Sequence, residues 1–310
     1  MKKIIYYFSV TVFVFIFFVI SYLTIFGLET SRFNKEVERQ VKNINQDFNL
    51  EIKKIKIHLE PINLKVKLKT LGPKLKFKKE NIEIESIKSE ISLRSLIRDE
   101  FLISNIEIST NSTKIKKVSS FIRQIYNDPK LIILENFIKK GYLIADINLE
   151  FDTNGKIKDN FQVKGFVKDG EVSFLDKHKF NKINFIFDLS KQLIKLQEVE
   201  LSYNDLNFLL DNLDVSNVDK ELFIKGEIKN KDFEITEKII NKIYGSNTLG
   251  IKKINFNSLS SFSFKVDKRL KPKNFSLNTE VKLNELILSN SFDLDHIFPD
   301  IKNEILFNDH

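Results

Sequence analysis

The sequence predicts a mainly β protein with a few helices, in which an N-terminal transmembrane helix precedes a long curled antiparallel sheet forming a hydrophobic groove. An uncharged opening segment, residues 4–28, is followed by strict alternation of apolar and charged residues over much of the chain. Only a few stretches have helical spacing. With 42% hydrophobic and 30% charged residues, the 310-residue chain is too apolar for disorder and long enough for an anchor plus one or two packed units.

The opening segment has the length and composition of a membrane span. A helix needs about 20 apolar residues to cross a hydrocarbon layer of about 30 Å, and residues 4–28 exceed that length. A cleaved signal peptide would have an apolar core of about 7–15 residues and a small-residue cleavage site, and the sequence has neither. Lys2 and Lys3 precede the span, so the N-terminus is expected in the cytoplasm and residues 30–310 on the other side. We therefore predict a single-pass anchor over residues 1–29.

The remainder divides into three regions by periodicity. Residues 30–110 begin with an amphipathic helix and continue as period-two strands whose opposite face is charged, which indicates antiparallel strands with one wet side. Residues 111–140 have helical spacing and predict a helical insertion. Residues 141–310 return to strands, with one short helix near 234–244.

Catalytic chemistry is not indicated. There are no cysteines, which excludes disulfides and cysteine-based metal or redox sites, and none of the four histidines has metal-ligand spacing. The sequence contains no nucleophile elbow, P-loop or dinucleotide fingerprint. The net charge of +8 is spread over alternating lysines and glutamates rather than in a basic patch. We therefore predict no enzyme, no cofactor, no metal and no nucleic-acid partner.

The apolar face of the strands is the candidate site. If nothing in the chain covers it, it must meet an acyl lipid or another protein; the alternative is that it closes on itself or lies under the helices as an ordinary core. The residues predicted to line a lipid-binding groove are Ile55, Ile57, Leu59, Leu64, Val66, Leu68, Leu75, Phe77, Ile82, Ile84, Ile91, Leu93, Phe161, Val163, Phe185 and Phe187.

The first strand block also has a characteristic layout. An alternating strand over residues 50–57 is followed by a Ser-Leu-x-Ser-Leu segment within residues 87–97, a short polar turn, and x-Ile-x-x-Ile-x-Ile within residues 101–108. Together with the anchor and the amphipathic helix, this layout resembles the opening of AsmA-like proteins, the group that includes TamB and is likened to chorein-type bridge proteins. The resemblance covers residues 1–110 best and extends by strand rhythm to residue 290.

The resemblance implies a location and a function. It implies an anchor in the inner membrane of a Gram-negative envelope, a periplasmic β-groove, and phospholipid transport or a contribution to outer-membrane biogenesis. It supplies no catalytic residues. Two alternatives stay open at this point: a non-conducting envelope assembly scaffold with envelope protein partners, and a lipopolysaccharide-export component.

Overall fold

The computed structural model confirms the predicted fold class: 65% of the chain is strand and 21% is helix, with an apolar N-terminal helix and antiparallel strand pairing. The structure describes residues 2–44, 46–92, 103–125, 129–152, 156, 158–174, 178–218, 221–247, 250–267, 271–289 and 304–308. Helices in these residues are α1 (Lys2–Ile25), α2 (Asn34–Ile44), α3 (Ile115–Ile125), α4 (Pro129–Phe137) and α5 (Glu237–Tyr244).

Strands make up most of the remaining described residues. The first nine in chain order are β1 (Leu28–Thr30), β2 (Phe48–Glu51), β3 (Lys54–Glu60), β4 (Lys65–Leu71), β5 (Lys74–Phe77), β6 (Glu80–Ser92), β7 (Ile103–Thr110), β8 (Thr113–Lys114) and β9 (Ile138–Glu150). The others are β10 (Gln162–Phe174), β11 (His178–Ser190), β12 (Leu193–Tyr203), β13 (Leu206–Val218), β14 (Glu221–Thr236), β15 (Ile251–Val266), β16 (Pro272–Ser289) and β17 (Glu304–Asn308).

The chain divides into two compact units. Unit 1 comprises Met1–Glu135 and Leu143–Gly165, and unit 2 comprises Asn136–Tyr142 and Phe166–His310. In unit 1, β3 pairs with β1 and β4, and β6 pairs with β4, β5 and β7. β2 pairs with β5, and β7 pairs with the end of β9. In unit 2, β11 to β17 form a meander in which each strand pairs with the next.

Two residues, Phe26 and Gly27, connect α1 to the sheet of unit 1. Helix α1 is long enough and apolar enough to cross a membrane, and its apolar side chains are exposed. After it ends, Gly27 takes a φ of +70°, a conformation that a side chain disfavours. The chain then enters β1, where Leu28 lies opposite Ile57 of β3. The sheet therefore begins three residues after the end of the apolar helix.

Substitution of Gly27 tests how closely this connection is packed. A Cβ atom at Gly27 would lie 2.8 Å from the carbonyl oxygen of Ile57 and 2.8 Å from the His58 ring, in addition to the strain of positive φ. We expect Gly27→Ala to destabilise unit 1 by about 2–3 kcal/mol. Gly72→Ala is the matched control, because Gly72 also has positive φ but its Cβ would meet only the Lys53 side chain at 3.5 Å or more. The control should lose about 1 kcal/mol. Equal losses in thermal unfolding would contradict the close approach.

Helix α2 covers one part of the unit 1 sheet. The buried residues Leu50, Ile52 and Ile55 pack against Val37 and Val41 of the helix. These two valines are four residues apart, so they lie on the same helical face. The Asn34 amide nitrogen at the start of α2 donates hydrogen bonds to the carbonyl oxygens of Ile52 (2.9 Å) and Lys53 (3.1 Å). This part of the sheet is consequently an ordinary packed core.

Helix α3 covers a second part of the unit 1 sheet. Phe77, Ile82 and Ile84 form a buried cluster with Phe121 of the helix, and the rings of Phe77 and Phe121 meet edge to face at 6.5 Å. The half-buried residues Val118 and Ile125 of α3 complete the contact. Their spacing follows one face of the helix, as the sequence pattern of residues 111–140 predicts.

Helix α4 is attached to α3 through Glu135. Its carboxylate accepts hydrogen bonds from the Ser120 hydroxyl (2.5 Å) and from Arg123 Nε (2.8 Å). The Ser120 hydrogen bond and then the Arg123 guanidinium hold the pKa of the Glu135 carboxyl below its usual value. Because the pKa is lowered, this contact stabilises the helix pair at pH values above the ordinary pKa of glutamate. The stabilisation is lost as the pH falls through the pKa that Glu135 has in the folded protein.

Bulges keep most of the apolar residues of the long unit 2 strands on one side. In β12 the apolar positions are Ile194 and Leu196 and then Val199 and Leu201, so the alternation changes parity in the middle of the strand. Glu198 has a φ of +51° at this point. Register shifts also occur within the β11–β12, β13–β14, β14–β15 and β15–β16 pairs. Because an extra residue reverses which side the following residues face, the bulges return the apolar residues to the same side.

Candidate functional site

The strand register of unit 1 places the apolar residues on one face of its sheet. Directly opposite residues of antiparallel strands point to the same side. One row of such residues crosses the sheet from the end of the anchor, and we call it the exit row: Leu28, Ile57, Leu68, Ser89, Ile106 and Leu149. The next row, which we call the tip row, comprises Leu59, Val66, Ile91 and Ile103. Both rows belong to what we call the apolar face of unit 1.

Most of the groove residues predicted in this unit lie on the apolar face, but they divide into two classes. Four are buried beneath α2 and α3 and line no open surface: Ile55, Phe77, Ile82 and Ile84. Leu75 packs against the same clusters and is half-buried. The helices predicted on either side of this strand block provide the cover, so the packed-core interpretation describes this end of the face.

The other class lies in the exit and tip rows. Ile57, Leu59, Val66, Leu68 and Ile91 are half-buried, and none of them is among the fully buried residues beneath α2 and α3. Ile57 and Leu68 touch the edge of the cluster beneath α2. The rows also contain residues that the sequence prediction did not include: Leu28, Ile103, Ile106 and Leu149. The alternation in residues 103–108 was a usable signal for two of them, whereas Leu28 was assigned to the membrane span.

Two predicted residues are not part of the observed face. The alternation Ile62, Leu64, Val66 indicated a strand starting before Leu64, but β4 begins at Lys65 and Leu64 lies in the β3–β4 turn with a φ of 49°. Placing Leu64 in the strand was therefore wrong, because the chain reverses direction within the apparently alternating segment. Leu93 lies outside the residues that the structure describes.

Unit 2 has a wider apolar face, which we call the apolar face of unit 2. Its rows run across consecutive strands. One row is Phe187, Leu196, Leu213, Gly226, Phe262 and Leu277; a second is Leu189, Ile194, Val215, Ile224 and Phe264. A third is Phe233, Phe256 and Leu283, with the Phe208 ring 5.5 Å from the Phe233 ring. The face is rich in phenylalanine, which the sequence prediction recognised only at Phe185 and Phe187.

The remaining predicted residues differ in burial. Phe187 is buried at 6% exposure, and its ring lies 6.2 Å from that of the half-buried Phe185. Phe161 directly precedes β10, and Val163 is the second residue of that strand. Both are half-buried. Exposure on the apolar face of unit 2 is greatest along β16, where Phe275 is 65%, Leu277 56% and Val281 59% exposed.

Two clefts in the described residues, one in each unit, are lined mainly by polar side chains. One, of about 290 Å³, is lined by the polar residues His58, Lys67, Lys69, Lys88, Glu90, Asn105 and Glu107 and also by Leu68 and Ser89 of the exit row. Another, of about 350 Å³, is lined chiefly by charged and amide side chains such as Lys195, Asn212 and Glu227 in unit 2. Small-molecule pockets are mostly apolar, and these linings do not suit an acyl chain. The candidate site is therefore the open apolar face of each unit rather than an enclosed pocket.

The fold and the site together define a class: a protein with an N-terminal helix of membrane-spanning length and antiparallel strands that are apolar on one side and charged on the other. Comparison with known proteins identifies no relative, because no family model, curated protein or solved structure matches the chain. Within the described residues, no group of three histidine, aspartate or glutamate side chains is arranged to hold a metal ion.

Proposed function

We propose that this chain is a membrane-anchored, periplasmic lipid-binding protein that shields acyl chains on the apolar face of its strands. As the resemblance to AsmA-like proteins implies, it would contribute to phospholipid transport or outer-membrane biogenesis. The anchor would lie in a bacterial inner membrane with Lys2 and Lys3 in the cytoplasm. Shielding requires no catalytic residue and no cofactor, since an acyl chain is held by apolar contact alone.

The observation that carries the proposal is the extent of the apolar face of unit 2. Seven strands at about 4.8 Å spacing make it roughly 30 Å wide, and β15 extends over 16 residues. The helix that contacts these strands, α5, has eight residues and a length of roughly 12 Å. A helix of that size covers only a small part of the face. Phe187, Val199 and Leu210 on this face are buried, whereas Phe275, Leu277 and Val281 along β16 are exposed. An exposed apolar surface of this kind is typical of a site that meets lipid or protein.

The energy of acyl transfer favours lipid as the occupant. Moving an acyl chain into water costs about 0.8 kcal/mol per methylene, or about 12 kcal/mol for a chain of about 16 carbons. An apolar surface that begins at the membrane removes most of that cost. The exit row begins at Leu28, which follows α1 by three residues, and it continues through Ile57 and Leu68.

One observation favours a second function. The clusters beneath α2 and α3 are packed cores, as expected of a non-conducting envelope scaffold in which the sheet supports itself. If the rest of the apolar face were covered by an envelope protein, the chain would act in assembly without holding lipid. The two functions differ in what touches the exit row, the tip row and the apolar face of unit 2.

Photo-crosslinking distinguishes them. The full chain would be expressed in a bacterial membrane supplied with a phospholipid carrying a diazirine in its acyl chain, irradiated, and mapped by peptide mass spectrometry. We expect cross-links on β4 and β6 of unit 1 and on β15 and β16 of unit 2, in addition to α1. Lipid held only around the anchor would give cross-links confined to α1. That result would contradict lipid shielding and leave the scaffold as the working hypothesis.

A further inference from the structure

The β3–β4 turn of unit 1, Pro61–Leu64, exposes two large apolar side chains, and we call it the hairpin tip. Ile62 is 93% exposed and Leu64 is 43% exposed. We propose that the hairpin tip inserts into the membrane interface beside α1 and that its partner is the lipid surface. This inference rests on the proposed membrane anchor and extends the proposed function, because it assigns the place where lipid enters the apolar face.

The strand register brings the hairpin tip to the membrane side of unit 1. β1 leads away from the end of α1, and it is antiparallel to β3, with Leu28 opposite Ile57 and Thr30 opposite Ile55. β3 therefore runs back towards α1, and its last residues extend beyond Leu28. Helix α1 is in contact with β3. The hairpin tip follows β3 directly, so it projects on the side where the anchor leaves the membrane.

The hairpin tip has a defined conformation that holds its apolar side chains outward. The Leu64 amide donates a hydrogen bond to the Pro61 carbonyl oxygen at 3.2 Å. The Asn63 side-chain amide donates to Glu60 Oε1 at 2.9 Å. Leu64 has a φ of 49°, which is unfavourable for a residue with a Cβ atom. The turn thus keeps Ile62 and Leu64 on the outside of unit 1, where their side chains are exposed.

Lysines flank the hairpin tip, as expected of a segment that inserts at an interface. Lys65 and Lys67 follow it directly in β4, and their ammonium groups lie 2.6 Å from Glu90 and 2.9 Å from Glu60 respectively. The Lys67 hydrogen bond, followed by that of Asn63, lowers the pKa of the Glu60 carboxyl, so this acidic residue stays ionised and paired. Both lysine charges are paired with carboxylates, so the base of the hairpin tip carries no excess negative charge and the apolar side chains provide the attraction to the lipid surface.

The hairpin tip is continuous with the apolar face. Leu59 and Val66, which lie opposite each other on either side of the turn, are the first members of the tip row. An acyl chain displaced from the bilayer by Ile62 and Leu64 would meet this row next. The insertion therefore provides a path from the membrane onto the sheet that avoids exposure to water.

The absence of cysteine from the sequence allows a direct test with single labels. The full chain carrying Ile62→Cys would be labelled with the environment-sensitive fluorophore NBD and reconstituted into phospholipid nanodiscs containing nitroxide-labelled lipids. Lys79→Cys is the control, because it is exposed in the β5–β6 turn at the opposite end of β6, roughly 40 Å along that strand. We expect blue-shifted, nitroxide-quenched emission at residue 62 and unshifted, unquenched emission at residue 79.

A second variant links insertion to lipid entry. Ile62→Asp places a charge at a side chain that is almost fully exposed, so the melting temperature should not change, whereas acyl cross-links to the tip row should fall about tenfold. Aqueous emission at residue 62 would overturn the inference, and cross-links on the strands would show that the proposed function survives it. Quenched emission at residue 62 without strand cross-links would sustain the insertion and contradict lipid shielding.

Discussion

An aspartate at residue 55 should unfold much of unit 1, whereas the same substitution at residue 66 should leave it folded. Ile55 is 1% exposed beneath α2, and its replacement by a carboxylate removes apolar contacts and buries an unpaired charge. We expect Ile55→Asp to cost at least about 4 kcal/mol, which is a large fraction of the stability of a typical domain. Thermal unfolding of the full chain, followed by circular dichroism, measures the loss.

Val66→Asp is the matched variant on the same face. Val66 lies in the tip row opposite Leu59 and Ile91; it is half-buried and does not belong to the clusters that pack against α2 and α3. Its carboxylate can remain hydrated, so we expect a loss of about 1 kcal/mol. Acyl cross-links to β4 should nevertheless disappear. A destabilisation as large as that of Ile55→Asp would mean that the tip row is packed core, and it would remove unit 1 from the lipid-binding surface.

The contrast between Ile55 and Val66 shows which features of the structure the sequence predicts and which it does not. The alternation of residues 54–60 and 65–71 with charged neighbours is a local property, and it correctly indicates strands and the side each residue faces. Burial is a property of tertiary packing. Ile55 and Ile57 have the same pattern in the sequence, yet Ile55 is fully buried beneath α2 and Ile57 is half-buried at the edge of the same cluster. No spacing rule identifies which strand segment a helix will cover.

Turns and bulges are the second reason why the sequence alone does not predict which side of the sheet a residue faces. Ile62 and Leu64 continue the alternation of the following strand, so the pattern conceals a chain reversal that Asn63 stabilises through its hydrogen bond to Glu60. In β12, the alternation changes parity at Glu198, and period-two reasoning alone would place Leu196 and Val199 on opposite faces. The bulge at Glu198 restores a single apolar face, on which Leu196 lies opposite Leu213 and Val199 lies opposite Leu210. Such corrections depend on neighbouring strands, which one strand's sequence does not reveal.

These local irregularities bear on function because they determine which residues are available to a ligand. The helices α2 and α3 cover the part of the apolar face of unit 1 that forms its core. The exit and tip rows, next to the anchor, are not covered by these helices. In unit 2, bulges place phenylalanine residues of several strands on the same side of the sheet, the apolar face of unit 2. Lipid contact is therefore expected where strands lack helical cover, and α5 provides little such cover in unit 2.

The apolar face of unit 2 can be tested at adjacent residues of β16. Leu277 lies on that face opposite Phe262, whereas Asn278 lies on the other side opposite Ser261. Both side chains are exposed, so an aspartate at either position should leave the fold intact. We expect Leu277→Asp to reduce acyl cross-links to β15 and β16 by about tenfold or more, because a carboxylate against an acyl chain costs several kcal/mol.

Asn278→Asp adds the same charge one residue away and should leave those cross-links unchanged, since it faces water on the charged side of the strand. A reduction in both variants would indicate a general effect of negative charge rather than contact with one face. Unchanged cross-links in both would place the lipid away from β16. If acyl chains lie along the phenylalanine-rich side of the sheet, the cross-links are lost in Leu277→Asp and retained in Asn278→Asp. The two positions differ mainly in the direction of the side chain, so only this one-sided result follows from contact with that face.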